Sequence, residues 1–169
     1  MNIHYVTGSR ADFGLMKKVL RCLDAQRNID LGLVVTGQHL LEHYGATVDD
    51  IIESNLKILC KIPVELNGSS GAQMARAFGK ELLGLIDFWQ IERPDLVLVL
   101  GDRGEMLAAA LAAVHLGIHV GHIHGGEVSG TLDESFRHAI SKLAHYHFTA
   151  TAEAAERLQR MGECQSCIW

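Results

Sequence analysis

Two strand-like runs in this chain end in polar, glycine-rich loops that carry carboxylates and histidines. Asp95-Leu-Val-Leu-Val-Leu100 runs into Gly101-Asp102-Arg103-Gly104-Glu105. Ile118-His-Val-Gly-His-Ile123 runs into His124-Gly125-Gly126-Glu127-Val128-Ser129-Gly130-Thr131-Leu132-Asp133-Glu134. Six of the ten histidines lie between His119 and His147, so titratable groups are concentrated in this segment. A carboxylate beside an apolar wall can have a raised pKa and act as a general acid or base. Asp102 follows a wholly apolar strand and is expected to project into a crevice; it can also cap the next helix. His122 and His124 alternate as strand residues do, which places them on one side with Ile123 opposite. Two histidines and Glu127 could hold zinc. We favour another reading, in which Gly125 and Gly126 allow close backbone approach to a ligand and His122 is a core histidine bonded to backbone. No metal is expected.

The following segment reads as a helix, on which Glu134 shares a face with His138 and Asp133 with Arg137. A carboxylate at a helix start can simply compensate the dipole; several of them facing Asp102 and Glu127 suggest paired acid/base groups. Earlier in the chain, Gly8-Ser9-Arg10-Ala11-Asp12 links a strand to a helix whose free N–H groups suit a phosphate, and Arg10 can add a bidentate contact. Gly37-Gln38-His39 follows the second strand; His39 either touches a ligand or is a solvated loop histidine. His145 and His147 read as structural.

The elements that must position these groups alternate between strand and helix, which implies an α/β fold with a doubly wound, mostly parallel sheet and helices on both faces. Strands are expected at 3–7, 29–36, 57–64, 96–100, 118–123 and 146–150. Helices are expected from Phe13 to about Ala25, with apolar positions at Leu15, Val19, Leu20 and Leu23, and around 40–44, 47–53, 72–92, 106–116, from Asp133 or Ser135 to about His145, and from a Thr151 cap to near Gly162. Gly68–Gly71 reads as a loop, and Pro94 stops the long helix. Ligands of such sheets bind outside the carboxyl ends of the strands, where the loops above lie. We expect a Rossmann-like domain over 1–162 and an irregular tail over 163–169, where a second domain would begin.

With 169 residues, 48% of them apolar, the chain is about one domain long and can build a core. A net charge of -5, with lysines and arginines scattered, argues against a nucleic-acid surface. No apolar run reaches the ~18 residues of a membrane span, and no signal peptide is recognisable at the N-terminus, so a cytoplasmic location is expected. Cys22 and Cys60 are expected to be buried thiols. Cys164 and Cys167 have CxxC spacing without further ligands nearby.

Taken together, Thr7-Gly-Ser-Arg-Ala-Asp12, Leu100-Gly-Asp-Arg-Gly-Glu105, His122-Ile-His-Gly-Gly-Glu-Val-Ser-Gly-Thr131 and Asp133-Glu-Ser-Phe-Arg-His138-Ala-Ile-Ser-Lys142 resemble the UDP-N-acetylglucosamine 2-epimerases, most closely the hydrolysing branch that feeds sialic acid synthesis. The resemblance runs from residue 1 to about Gly162. It implies the N-terminal half of a two-domain, glycosyltransferase type B arrangement, whose second domain supplies most uridine and diphosphate contacts. The isolated chain is therefore expected to be inactive. The implied reaction eliminates the C2 proton and UDP to give a glycal, then adds water to release N-acetylmannosamine.

By the same resemblance Asp102 and one of Asp133 and Glu134 are catalytic carboxylates. Many members carry a glutamate where this chain has His124, so His124 or Glu127 is expected to take that role. Arg10 matches the arginine that reaches the phosphates. His39, Arg103, Gly125, Gly126, Ser129, Arg137 and His138 complete the expected substrate-binding set. No cofactor is implied, and the G-x-G-x-x-G fingerprint is absent. A UDP-sugar is the expected partner, and a homodimer or higher oligomer the expected state. Alternative readings are a sugar-nucleotide-binding domain without turnover, an epimerase of a GDP- or diacetamido-sugar, and a metal-dependent hydrolase using His122, His124 and Glu127.

Overall fold

Leu and Val alternate along the central strands with a period of two, and both sets of side chains are buried on opposite faces of one sheet. In the computed structural model, which describes residues 1–42, 45, 47–65 and 70–169, six strands are described: β1 (Asn2–Thr7), β2 (Asp30–Val35), β3 (Ile58–Lys61), β4 (Leu96–Leu100), β5 (His119–Ile123) and β6 (Tyr146–Phe148). All pair in parallel, in the order β3-β2-β1-β4-β5-β6. The helices are α1 (Arg10–Asp24), α2 (Val48–Ile52), α3 (Gly71–Ile91), α4 (Gly104–His115), α5 (Leu132–Leu143) and α6 (Ala152–Arg160). On one face Val6, Val34, Val97, Val99 and Val120 pack against Leu85 and Trp89 of α3, the alanines of α4 and Ile140 of α5. On the other, Tyr5, Leu33, Val35, Leu98 and Leu100 pack against Phe13, Met16 and Leu20 of α1 and Ile51 of α2. Strand order reverses between β1 and β4, so their loops open away from each other and leave a crevice.

Several boundaries differ from those expected, each for a local reason. α1 starts at Arg10, not Phe13, because Ser9 caps it and Asp12 closes a capping box. With that start the buried stripe is Phe13, Met16 and Leu20, while Leu15 and Val19 are 69% and 47% exposed. Cys22 is likewise exposed, not buried, and Cys60 is half-buried. In the expected Gly68–Gly71 loop, Ser70 caps α3 and Gly71 begins it, while Gly68 and Ser69 lie outside the described residues. Of the helix expected around Leu40–Tyr44, Leu40 instead ends a 3-10 turn over Gly37–Leu40; His43 and Tyr44 lie outside the described residues. The third strand is shorter than expected, and α5 starts at Leu132 with Thr131 as its cap residue. Asp133 and Glu134 therefore sit in its first turn. Thr151 caps α6 as expected, accepting from the backbone N–H of Ala154 at 3.1 Å. Residues 165–167 make one 3-10 turn, after which Ile168 bridges His147 in parallel. Among the described residues no helix is long and apolar enough to cross a membrane.

Candidate active site

The end of β4 is fixed from below. Gly101 turns the chain at φ +80°, and its carbonyl accepts a 2.7 Å hydrogen bond from Nε2 of His122. Because a carbonyl can only accept, Nε2 carries the proton, and Nδ1 accepts from the Ser141 hydroxyl at 3.0 Å. His122 is fully buried, and burial lowers its pKa to about 4, so it is a neutral strut joining β4, β5 and α5. Both its ring nitrogens are engaged within the protein.

Above that strut the site groups converge. Arg137, from α5, donates to Oδ2 of Asp102, and the two side chains are 13% and 22% exposed. This ion pair spans the β4 loop and α5. Asp133, exposed in the first turn of α5, acts through space on Arg103, as does Asp12 from the β1 side. Arg103 also reaches Oε1 of Glu105 at 3.3 Å. Nε of Arg103, Nε of Arg137 and Nδ1 of His138 are buried and make no hydrogen bond within the protein. Buried polar atoms of this kind are costly unless something else satisfies them. Asp102, Asp133, Arg103 and Arg137 thus meet at the β1/β4 switch point.

The β5 loop differs from its expected layout. β5 ends at Ile123, and His124 adopts φ +63° and points into solvent. The strand alternation stops there, so His122 and His124 do not form a pair. The two glycines serve the protein's own packing. A Cβ on Gly125 would meet Nδ1 of His122 and Oγ of Ser141 at 2.9 Å, and one on Gly126 (φ +81°) would strike the carbonyl of Ala154. Arg157 of α6 clamps the Gly126 carbonyl. Glu127 accepts from the Thr151 hydroxyl at 3.1 Å, which holds it at the start of α6. Glu134 accepts from the backbone N–H groups of Ser129 and Gly130, both at 2.7 Å. These bonds hold its carboxyl below the usual range, and His138 lies 3.9 Å from its other oxygen. Glu134 thus ties the loop that Ser129 belongs to, whereas Asp133 makes no hydrogen bond among the described residues.

On the β1 side two expectations change. His39 neither faces a ligand nor is solvated. It is fully buried, with Nε2 3.0 Å from Oγ1 of Thr7 and Nδ1 2.8 Å from Oγ1 of Thr47, and burial lowers its pKa. Arg10, 74% exposed, pairs with Asp50 of α2 at 3.0 Å. Three carboxylates without an expected site role, Asp12 and Glu81 buried and Glu105 half-buried, belong to the framework. Asp12 accepts from the Thr7 hydroxyl, the Gly8 and Ser9 N–H groups and the Ser9 hydroxyl. The spacing Ser9-x-x-Asp12, a capping box, was its available signal. Glu105 fills the space between the β1 and β2 loops, where a Cβ on Gly8 or Gly37 would meet it at 3.1 or 2.8 Å. Glu81 of α3 is 2% exposed; burial and then the charge of Glu105 push its pKa up to about 9. A lone carboxylate on an otherwise apolar helix face gave no signal of its surroundings.

A profile of the family described as UDP-N-acetylglucosamine 2-epimerase matches residues 21–169. The chain is 55% identical over 167 residues to the UDP-N,N'-diacetylbacillosamine 2-epimerase (hydrolyzing) of Legionella pneumophila, covering 99% of this chain and 44% of that protein. It is 37% identical to a UDP-N-acetylglucosamine 2-epimerase of Neisseria meningitidis, covering 94% of this chain and 41% of that protein. A crystal structure of UDP-GlcNAc 2-epimerase from Neisseria meningitidis bound to UDP-GlcNAc superposes with a TM-score of 0.84 at 26% identity, over 99% of this chain and 45% of that one. The chain therefore spans less than half the length of these relatives. It belongs to the UDP-N-acetylglucosamine 2-epimerase family.

Proposed function

We propose that this chain is the N-terminal part of a hydrolysing 2-epimerase acting on a UDP-linked 2-acetamido sugar, and that its share of the site is the cluster around Asp102. The observation that carries this reading is the meeting of Asp102, Asp133, Arg103 and Arg137 at the β1/β4 switch point, in a chain of this family. Elimination breaks the C2–H and C1–O bonds, forms the C1=C2 bond and releases UDP. Water then adds its oxygen to C1 while a proton returns to the opposite face of C2. The C2 proton is weakly acidic, so C1–O cleavage must run ahead and leave cationic character at C1. A carboxylate nearby stabilises that charge and can accept the proton. Arg137 holds Asp102 in an ion pair across the β4 loop and α5, and Asp133 supplies a second carboxylate. The His124 side chain makes no hydrogen bond among the described residues and is assigned the second proton-transfer role; Glu127 is held at α6. Glu134 and Ser129 shape the loop, and Arg10, Arg137 and His138 contribute to substrate binding.

The sugar is open between two readings. UDP-N-acetylglucosamine, giving N-acetylmannosamine, is one. The 55% identity to the diacetylbacillosamine enzyme, against 37% to the Neisseria enzyme, favours a 2,4-diacetamido sugar. We place the protein in the cytoplasm as a homodimer or higher oligomer, with residues 1–162 forming one domain and a second domain beginning near residue 163. The test is incubation of the protein carrying this chain with each UDP-sugar in deuterated water. Free UDP and a 2-epimeric sugar deuterated at C2 are expected with one of the two. No UDP release from either, or release with hydrogen retained at C2, would overturn the reading. The isolated chain is expected to turn over neither.

A further inference from the structure

Glu81 is buried on α3 with only 2% of its surface exposed, and its Oε1 makes no hydrogen bond within the protein. Burying an ionised carboxylate without partners is so costly that the group takes up a proton instead. The charged neighbour of Glu81 that disfavours ionisation is Glu105, at the start of α4; the cation near it is Arg103, in the β4 loop; the end of β2 contributes Thr36 as a hydrogen-bonding neighbour. The Thr36 hydroxyl already donates its one proton to the carbonyl of Ile62 at 3.0 Å. Thr36 and Arg103 favour the anion, but burial and the charge of Glu105 outweigh them, and with one oxygen unpartnered Glu81 is an acid, not an anion. Its neighbour Lys80 is occupied elsewhere, 3.1 Å from Glu65.

The position of this acid gives it a consequence for the crevice. Glu105 lies between the Gly8 and Gly37 loops and holds Arg103 by one 3.3 Å contact. Arg103 remains 39% exposed. With Glu81 protonated, the unit Glu81–Glu105–Arg103 has no net charge. With Glu81 ionised it carries one negative charge, added to those of Asp12 and Asp133, which already act on Arg103. A diphosphate approaching Arg103 would be repelled.

We propose that Glu81 holds a proton behind the β4 loop, next to the Glu105–Arg103 ion pair, and that this proton makes Glu81 a positioning residue that keeps Arg103 available to the diphosphate of a nucleotide sugar. The claim about the proton stands on the geometry of this chain alone, and the claim about the diphosphate rests on the function proposed above. Two measurements on the full chain separate them. Infrared spectroscopy at pH 7 reads protonated carboxyl groups directly: wild type is expected to show a carboxylic C=O band that Glu81→Gln lacks. Absence of the band in wild type, or its survival in the variant, overturns the proposal. Should the variant not fold, wild type alone decides, because the band must vanish in mildly alkaline solution. The second measurement is UDP affinity between pH 7 and pH 10. An added charge within electrostatic reach of Arg103 is expected to weaken binding about tenfold more in wild type than in Glu81→Gln, and the difference between the two proteins cancels the titration of UDP itself. Identical profiles would remove the role toward Arg103. If wild type shows the band yet binds no UDP, the proton on Glu81 stands and it is the nucleotide reading that fails.

Discussion

The two sides of the crevice are built on opposite plans. On the β1/β2 side the polar groups are buried and bonded to one another: Thr47, His39, Thr7 and Asp12 form a continuous chain that ends on the Gly8 and Ser9 amides. On the β4/β5 side Asp102, His124 and Asp133 keep access to solvent and have few protein partners, and Arg137 supplies one ion pair. Glu81, His122 and His4, whose titration burial shifts strongly, belong to the framework and not to the open set. In these groups the shift marks burial, while the capacity for chemistry is proposed to lie with groups that the fold leaves unspent. That contrast can be attacked at four points.

The largest effect is expected at Asp102. Asp102→Asn in the protein that carries this chain keeps the shape and removes the charge. It is expected to lower kcat by about 10²–10⁴-fold while moving Tm by no more than a few degrees. Steady-state UDP release and calorimetry read the two quantities. A near-normal rate would refute the role of Asp102, and a collapse in Tm would show that it is framework after all.

Asp12→Ala is expected to do the reverse. It strips four donors of their acceptor, two of them backbone N–H groups in the β1 loop. Leaving such groups buried and unpaired costs on the order of 3 kcal/mol, readable as a lowered denaturation midpoint. A cost below about 1 kcal/mol would mean the loop relaxes to water, and the rigid side would lose its distinction.

This contrast also marks how far the sequence could be read. The parallel α/β order, the crevice and the approach of α5 to the Asp102 loop, seen in the Asp102–Arg137 pair, were legible, because strand and helix periodicity and the strand-end rule concern local pattern and chain direction. His39, Gly125 and Gly126 were assigned to a ligand and instead contact Thr7, His122, Ser141 and Ala154. The same residue types serve close approach to a ligand or to the protein itself, and only the packed neighbours distinguish the two. Glu81 was invisible for a related reason: its partners come from β2 and α4, far away in the chain. The α1 stripe was misassigned because the helix start was set three residues late, which hid the Phe13–Met16–Leu20 face.

A third effect is expected on acidification. His122 has its pKa lowered to about 4 in the fold, and His4, which accepts from the Trp89 indole at 3.1 Å, likewise. Between pH 6.5 and about 4 the unfolded chain takes up protons that the native histidines refuse. Stability is therefore complete above pH 6.5 and falls as pH drops toward 4, by about 1 kcal/mol per histidine at pH 5.5. His122→Gln is expected to show a smaller Tm difference between pH 7 and pH 5.5 than wild type. An unchanged difference would mean that the strut under Asp102 is not the acid-sensitive element.

The smallest effect is expected from Thr151→Ala, and it tests the open side. Thr151 accepts from the Ala154 N–H and donates to Glu127, so its loss removes a helix cap and frees a carboxylate. An N-cap of this kind contributes about 1 kcal/mol, which corresponds to roughly 2–4 °C in Tm for a chain of this size. Hydrogen exchange at 124–130 should quicken in the variant, while exchange in the Gly8–Asp12 turn stays as it was. If removing Thr151 costs as much as removing Asp12, or if both loops loosen together, the two sides share one level of order. Openness would then no longer explain why the carboxylates proposed to react are those at β4 and α5 and not the one at β1.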